Sequence, residues 1–280
     1  MKVDNKIAWQ PGLCSGIFHI ERRFCPCLDI PQMAQLGFKV LEVDCYIPEK
    51  GFEWQNQQKV DELIKVCQDF DITIWSAHPP ENQSLLMPDK VERQKHKDIL
   101  KAFVDFCHQV GAKYMPIHFW LPKKIFDEIG YLSYFDESIE FLESFYSKYQ
   151  VRACLETLRE PYSAISNQQL VDIVKSHQTS LGMIMDTGHA HISGNLHEIT
   201  QQGKGIIKSL HIHDNYGKDD SHNSPPQGTI VWPEFIQDLK DISYQGPIMF
   251  EVRGAVGALQ QTTDFYNTFF AQHRFSPVSK

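Results

Sequence analysis

The feature that most constrains this chain is a regular alternation of short apolar runs with longer stretches of helical periodicity. Apolar runs bounded by turn residues fall near 12–18, 40–46, 73–78, 114–119, 151–157, 181–186, 207–213 and 247–252, giving eight candidate strands. Between them apolar residues recur at helical spacing, as from Lys59 to Phe70, Val91 to Val110, Ser138 to Tyr149, Gln168 to His177 and Pro233 to Ile242. Such alternation makes parallel strands joined by crossover helices. A closed barrel and an open doubly wound sheet both satisfy it, but no Gly-rich phosphate-binding turn follows the first strand. The expected fold is therefore an α/β (β/α)8 TIM barrel, and a length of 280 residues fits residues 1–280 as a single domain.

The balance of charge narrows the partners. A formal net charge of −8 gives no basic footprint, which disfavours nucleic acid. The opening residues MKVDNKIAWQ carry no apolar signal core, and no run approaches the roughly 18 apolar residues of a membrane span. A cytoplasmic protein without a membrane partner is the expectation, and a homo-oligomer is compatible with the sequence. The cysteines, 7 in all, lack the spacing of a disulfide framework and are expected as reduced thiols. Cys25-Pro26-Cys27 has the look of a metal pair, but one C-x-C without a second pair is weak evidence, and a loop with two thiols is the preferred reading.

In a parallel barrel chemistry sits at the C-terminal ends of the strands, and ionisable residues collect there. His78 ends the third run, His118 the fourth and Glu156 the fifth. Asp186 ends the sixth with His189 just beyond, His211 and His213 end the seventh, and Glu251 the eighth. Residues two apart on a strand share a face, and the residues behind His78, His118, Glu156 and His211 are Ser76, Pro116, Cys154 and Ser209, all small. The opposite parity carries Trp75, Ala77, Leu155, Leu210, Ile212 and Phe250, suited to packing against outer helices. One His or Glu at a strand end is usually just a hydrogen-bonded polar residue; six successive strand ends are harder to explain that way.

Converging carboxylates without a counter-charge would cost several kcal/mol each. Lys and Arg are scarce at these ends, so a divalent cation is the expected cofactor. Mixed imidazole and carboxylate ligands suit Zn²⁺, Mn²⁺, Fe²⁺ or Co²⁺ over Ca²⁺ or Mg²⁺. Zn²⁺ or Mn²⁺ is expected first, as one to three ions.

Two segments, D-T-G-H-A from Asp186 and H-I-H-D-N-Y-G-K-D-D-S-H from His211 to His222, followed by G-T-I-V-W from Gly228 to Trp232 and by Phe235, resemble the xylose-isomerase-like barrel superfamily over nearly the whole chain. That superfamily holds sugar isomerases and epimerases and the apurinic-site endonucleases. The resemblance to the epimerases implies one metal held by Glu156, Asp186, His211 and Glu251, with Glu156 and Glu251 also exchanging the proton beside a metal-polarised carbonyl. The resemblance to the endonucleases implies further zinc ligands at His78, His118, His189, Asp220 and His222. The spacing from His211 to Asp220 and His222 departs from the endonuclease pattern. Pro225-Pro226-Gln227-Gly228 replaces its Gly-Glu-Gly, and the Asn-rich signature after the fifth strand is missing. These departures weigh against cleavage of DNA.

Two functions follow. The first is a metal-dependent isomerase or epimerase of a small sugar, sugar phosphate or related polyol, with Arg159 or Arg253 holding a substrate anion. The second is a multi-zinc phosphoesterase resembling the apurinic-site endonucleases. A metal-holding barrel without catalysis stays open, because fold and ligands do not fix function. His213 could be a ligand, a substrate contact or a donor behind the metal ligands, and the last two are preferred. Trp9, Phe18, Trp54 and Trp120 are candidate floors for a sugar, although aromatics near strand ends are more often packing. His191 and His197 are expected in solvent, and the stretch from Asn215 to Gly228 as a functional loop.

Overall fold

The computed structural model describes residues 9–18, 22–47, 49–80, 85–124, 134–253 and 257–273; the polar opening segment 1–8 lies outside them. Eight strands, β1 (Pro11–Cys14), β2 (Val40–Asp44), β3 (Thr73–His78), β4 (Tyr114–Ile117), β5 (Arg152–Glu156), β6 (Gly182–Asp186), β7 (Ile207–His211) and β8 (Ile248–Phe250), are ordered β7-β6-β5-β4-β3-β2-β1-β8. Every neighbouring pair is parallel. Just past β7, Ile212 bridges to Phe250: Ile212 N donates to Met249 O at 2.8 Å and Glu251 N to Ile212 O at 3.0 Å. That bridge joins the sheet's two edges and makes it a barrel.

The helices around it are α1 (Pro26–Gln35), α2 (Gln57–Asp69), α3 (Lys90–Val110), α4 (Phe135–Tyr149), α5 (Asn167–Ser176), α6 (Thr187–Ser193), α7 (Leu196–Gln202), α8 (Trp232–Asp241) and α9 (Ala258–Phe269). Their local signals are legible. α2 buries Val60, Leu63 and Cys67, the i, i+3, i+7 stripe of a helix seated on a sheet. Ser166 and Gln169 form a reciprocal capping box on α5, and Asp89 opens α3, which Gly111 closes in the left-handed conformation at φ 76°. All seven cysteines are free thiols. Among the described residues no helix is long and apolar enough to cross a membrane.

Two local expectations are corrected. The first strand stops at Cys14, and Ser15–Phe18 forms a 3-10 turn, pinned where Asp44 N donates to Ser15 Oγ at 2.8 Å. Trp75, expected on the helix side, packs inside the barrel with Val40, Met249 and Tyr114 and donates from Nε1 to Lys208 O across it. The cause is a shift in the β2–β3 register, where Leu41 pairs with Ile74 but Glu42 with Ser76, so that Trp75 escapes the alternation. Ala77, Leu155, Leu210, Ile212 and Phe250 do join the outer core.

Candidate metal centre at the barrel mouth

The strand ends deliver Glu156, Asp186, His211 and Glu251 to one point: one ligand atom from each lies within 4.8 Å of all the others. His211 is the pivot. Its Nδ1 is 3.2 Å from Glu156 Oε1 and 3.2 Å from Glu251 Oε2, while its Nε2 lies 2.9 Å from Glu42 Oε1. Glu42 is fully buried and accepts from Ser76 Oγ at 2.5 Å. It escaped the sequence reading; its signal was a carboxylate inside the apolar run of β2.

Asp186 shows why D-T-G-H folds as it does. Its carboxylate caps α6 by accepting from His189 N at 2.7 Å, so the helix starts as the strand ends. His213 Nε2 sits 3.0 and 3.1 Å from its two oxygens. Gly188 leaves room for that imidazole, since a Cβ there would lie 2.0 Å from His213 Cε1. His213 is fully buried, stacks on His222 at 3.9 Å between centroids and does not line the cavity, so it reaches Asp186 rather than the space above.

Two further groups flank the centre. His78, His118 and Glu156 bring ligand atoms within the same 4.8 Å limit. On the other side His189 and His222 point Nε2 at Asp220 Oδ2, at 3.3 and 3.2 Å. His189 Nδ1 meets Thr157 O at 2.9 Å, His222 Nδ1 meets Glu251 O at 2.9 Å and His78 Nδ1 meets Pro79 O at 3.0 Å. A carbonyl accepts only, so each Nδ1 carries a hydrogen and Nε2 is the atom aimed inward, where on losing its proton it would offer a lone pair as a metal-ligating histidine does. His222 holds this pose in the left-handed region at φ 48°, a strained backbone that its surroundings must maintain.

The charges are matched to a cation. Burial alone would raise the Glu156 carboxyl, but His211 and His118 pull it well below the carboxylate range. Burial, with Glu156, Asp186 and Glu42 nearby, lifts Glu251 well above that range against the pull of His211. Burial lowers His189, yet Asp186 and Asp220 raise it to about 10; burial, then His213, lowers His222 to about 4. Neighbours are thus driven to opposite protonation states, which is how a crowded site balances charge on protons alone. Glu156 Oε2 and Asp220 Oδ1 are buried with no hydrogen bond. A cation would satisfy these orphaned oxygens and relieve the repulsion, so the residues present fit a metal.

Above the centre opens a cavity of about 380 Å³ lined in part by Tyr46, Trp120, Leu158, Arg159, Tyr162 and Arg253, a size suited to a small molecule. Arg159 is 3.8 Å from Asp220 Oδ2. Of the four candidate aromatics only Trp120 lines this space. Trp9 and Trp54 pack against Phe270 and Phe103, and Phe18 against Phe24. Tyr46 and Tyr162 come from loops whose path periodicity does not reveal. His197 is exposed as expected, while its Nδ1 meets Asp238 Oδ1 at 2.8 Å; His191 is half-buried and meets Thr229 Oγ1 at 2.8 Å. The loop after β7 is ordered by Asp214, whose carboxylate accepts from Asn215 N, Ile230 N and Trp232 Nε1.

The fold and site together define a parallel α/β barrel with a His/Asp/Glu cluster at its strand ends that could hold a metal. Residues 30–268 match the family model described as xylose isomerase-like TIM barrel, and the chain belongs to that family. Among curated proteins it is 28% identical over 250 residues to D-psicose 3-epimerase of Ruminiclostridium cellulolyticum, covering 82% of this chain and 80% of that protein. Among solved structures a D-tagatose 3-epimerase-like protein superposes with a TM-score of 0.74 at 21% identity, covering 94% of this chain and 98% of that one. The IolI protein with a bound zinc atom does so with a TM-score of 0.74 at 20% identity, covering 92% and 99%.

Proposed function

We propose that the protein is a divalent-metal-dependent isomerase or epimerase of a small carbohydrate-like substrate, acting by proton transfer beside a metal-polarised carbonyl. The observation that carries this reading is that Glu156 and Glu251 each come within 3.2 Å of His211 Nδ1 and both line the same cavity. Glu156, Asp186, His211 through Nδ1, and Glu251 would hold the metal, with Zn²⁺ or Mn²⁺ the first candidates. Bound there, it supplies Lewis acidity that makes the C–H beside a carbonyl easier to deprotonate. The chain's own residues do the rest. One of the two glutamates takes the proton and the other returns one, an exchange that needs both carboxylates within reach of the reacting carbon. His213 steadies Asp186, Tyr46 and Trp120 wall the substrate from water, and Arg159 and Arg253 favour a substrate with a phosphate or carboxylate. The names of the relative and of the superposing epimerase point the same way, and the zinc in IolI supports the choice of cofactor.

The test is exchange in D₂O. Ketoses, aldoses and their phosphates are incubated with the metal-loaded protein, and deuterium at the carbon beside the carbonyl is read by NMR. Incorporation that disappears in Glu156→Gln and Glu251→Gln is expected; no incorporation across the panel sinks the proposal.

A second reading, a multi-zinc phosphoesterase, is favoured by one observation: His189 and His222 converge through Nε2 on Asp220. It requires more than one zinc per chain and hydrolysis of a phosphoester such as bis(p-nitrophenyl) phosphate that is lost in His222→Ala.

A further inference from the structure

Among the described residues, one cluster of ligating side chains outside the mouth has no role in the reading above. Cys25 occupies the capping position of α1, and Cys27 follows Pro26 in its first turn. Their sulfurs are 3.2 Å apart. Glu62 reaches over from α2 and pairs with the Cys27 thiol. One ligand atom from each of Cys25, Cys27 and Glu62 lies within 4.8 Å of the other two. The other five cysteines are buried, the usual condition of a free thiol. These two alone reach the surface, and they face each other.

We propose that Cys25, Cys27 and Glu62 form a second metal site, specific for a thiophilic divalent cation of the zinc class, that clips α1 to α2 independently of the barrel mouth.

Pro26 fixes φ between the two cysteines, so their side chains share one turn before any metal arrives. Two thiolates and a carboxylate are a soft-to-borderline set that prefers Zn²⁺ to the hard cations, and they leave a fourth position for water. Arg22 pairs with Asp29 and Arg23 with Glu53 at 3.1 Å, away from the sulfurs, while Lys59 lies 3.0 Å from Glu62 Oε2 and is the cation that a metal must share that carboxylate with or displace. Without a cation, the two sulfurs face each other at 3.2 Å beside the Glu62 carboxylate. A bound cation reverses the sign of that crowding, and each thiol that ligates releases its proton to solvent, so affinity rises with pH. The proposal does not depend on what the mouth binds.

The test uses Co²⁺ as a spectroscopic probe, titrated into the full-length metal-stripped protein under a phosphine reductant. The ligands proposed at the mouth are nitrogen and oxygen, so a thiolate-to-cobalt charge-transfer band reports the rim site alone. Expected is a near-ultraviolet band that saturates with one ion per chain, strengthens with pH, weakens in Glu62→Gln and is absent in Cys25→Ser/Cys27→Ser. The Ser variant should keep its circular dichroism and its cobalt ligand-field bands from the mouth. A band that survives the double substitution would come from another thiol, with Cys14 near the mouth the first suspect, and overturns the proposal. So does a reduced protein with no band, including one in which the pair merely closes to a disulfide in air.

Discussion

His211 Nε2 lies 2.9 Å from Oε1 of Glu42, a carboxylate buried at 0% exposure on the far side of the barrel, so the imidazole at the centre of the candidate metal site is held from behind. Glu42→Ala is expected to weaken metal binding about 10–100-fold, the usual cost of removing the partner of a ligating histidine. Glu42→Gln, which keeps the shape beside the ring and gives up only the charge, should lose less. Competition with a metal-sensitive dye reads both affinities without a substrate. Equal affinities in all three proteins would reduce Glu42 to a filler of the barrel interior.

Glu42 also marks where sequence reading ended. The fold was legible because each strand is short, apolar and followed by a helical stripe. Much of the cluster at the barrel mouth was legible because a His or Glu closing an apolar run is conspicuous. Trp75 was not, because the β2–β3 register shift leaves it as an extra residue in β3 and breaks the alternation from which faces are inferred; Glu42 keeps the face of Val40 but lies inside its apolar run rather than closing it. Tyr46 and Tyr162 stand on loops, where cavity walls depend on a path that local pattern does not encode. His213 was readable as one of two roles, and only its 3.0 Å approach to Asp186 separates them.

Metal content distinguishes the two functional readings before any substrate is known. Protein purified without added metal or chelator is expected to hold close to one ion at the Glu156, Asp186, His211 and Glu251 group, and His222→Ala should keep it together with appreciable turnover. Chelation should lower stability by about 3 kcal/mol when metal had been present at a hundredfold excess over its Kd. Two or three zinc ions per chain, lost in part in His222→Ala, would move phosphoesters ahead of sugars.

Asp214 predicts a purely structural loss. Its carboxylate accepts from Asn215 N at 2.9 Å, Ile230 N at 3.2 Å and Trp232 Nε1 at 3.0 Å, and Gly228 passes so close that a Cβ would sit 2.2 Å from Asp214 Oδ1. This accounts physically for the D, G and W of the segment from Asp214 to Trp232. Asp214→Ala strands three buried donors and is expected to cost on the order of 3 kcal/mol, read as a lower urea midpoint. Asp214→Asn keeps an acceptor for the two backbone donors but turns an NH₂ toward Trp232 and should lose about half as much. A midpoint unchanged in Asp214→Ala would mean that water replaces the carboxylate.

His96 on α3 sets a pH dependence remote from the mouth. It is buried, at 5% exposure, and burial lowers its pKa from 6.5 to about 4. The folded protein therefore keeps it neutral where the unfolded chain protonates it. Between those two values the unfolded state holds more protons, so stability rises with pH through the window. The contribution is full above about pH 6.5 and is lost as pH falls toward 4. By pH 5 the loss is on the order of 2 kcal/mol. Urea unfolding of the wild type and of His96→Gln at pH 7 and pH 5 isolates it, because the other acid-sensitive groups are common to both proteins. A wild-type loss exceeding that of the variant is expected; parallel losses would mean that α3 opens to admit water around the imidazole, and that His96 titrates as it does in the unfolded chain.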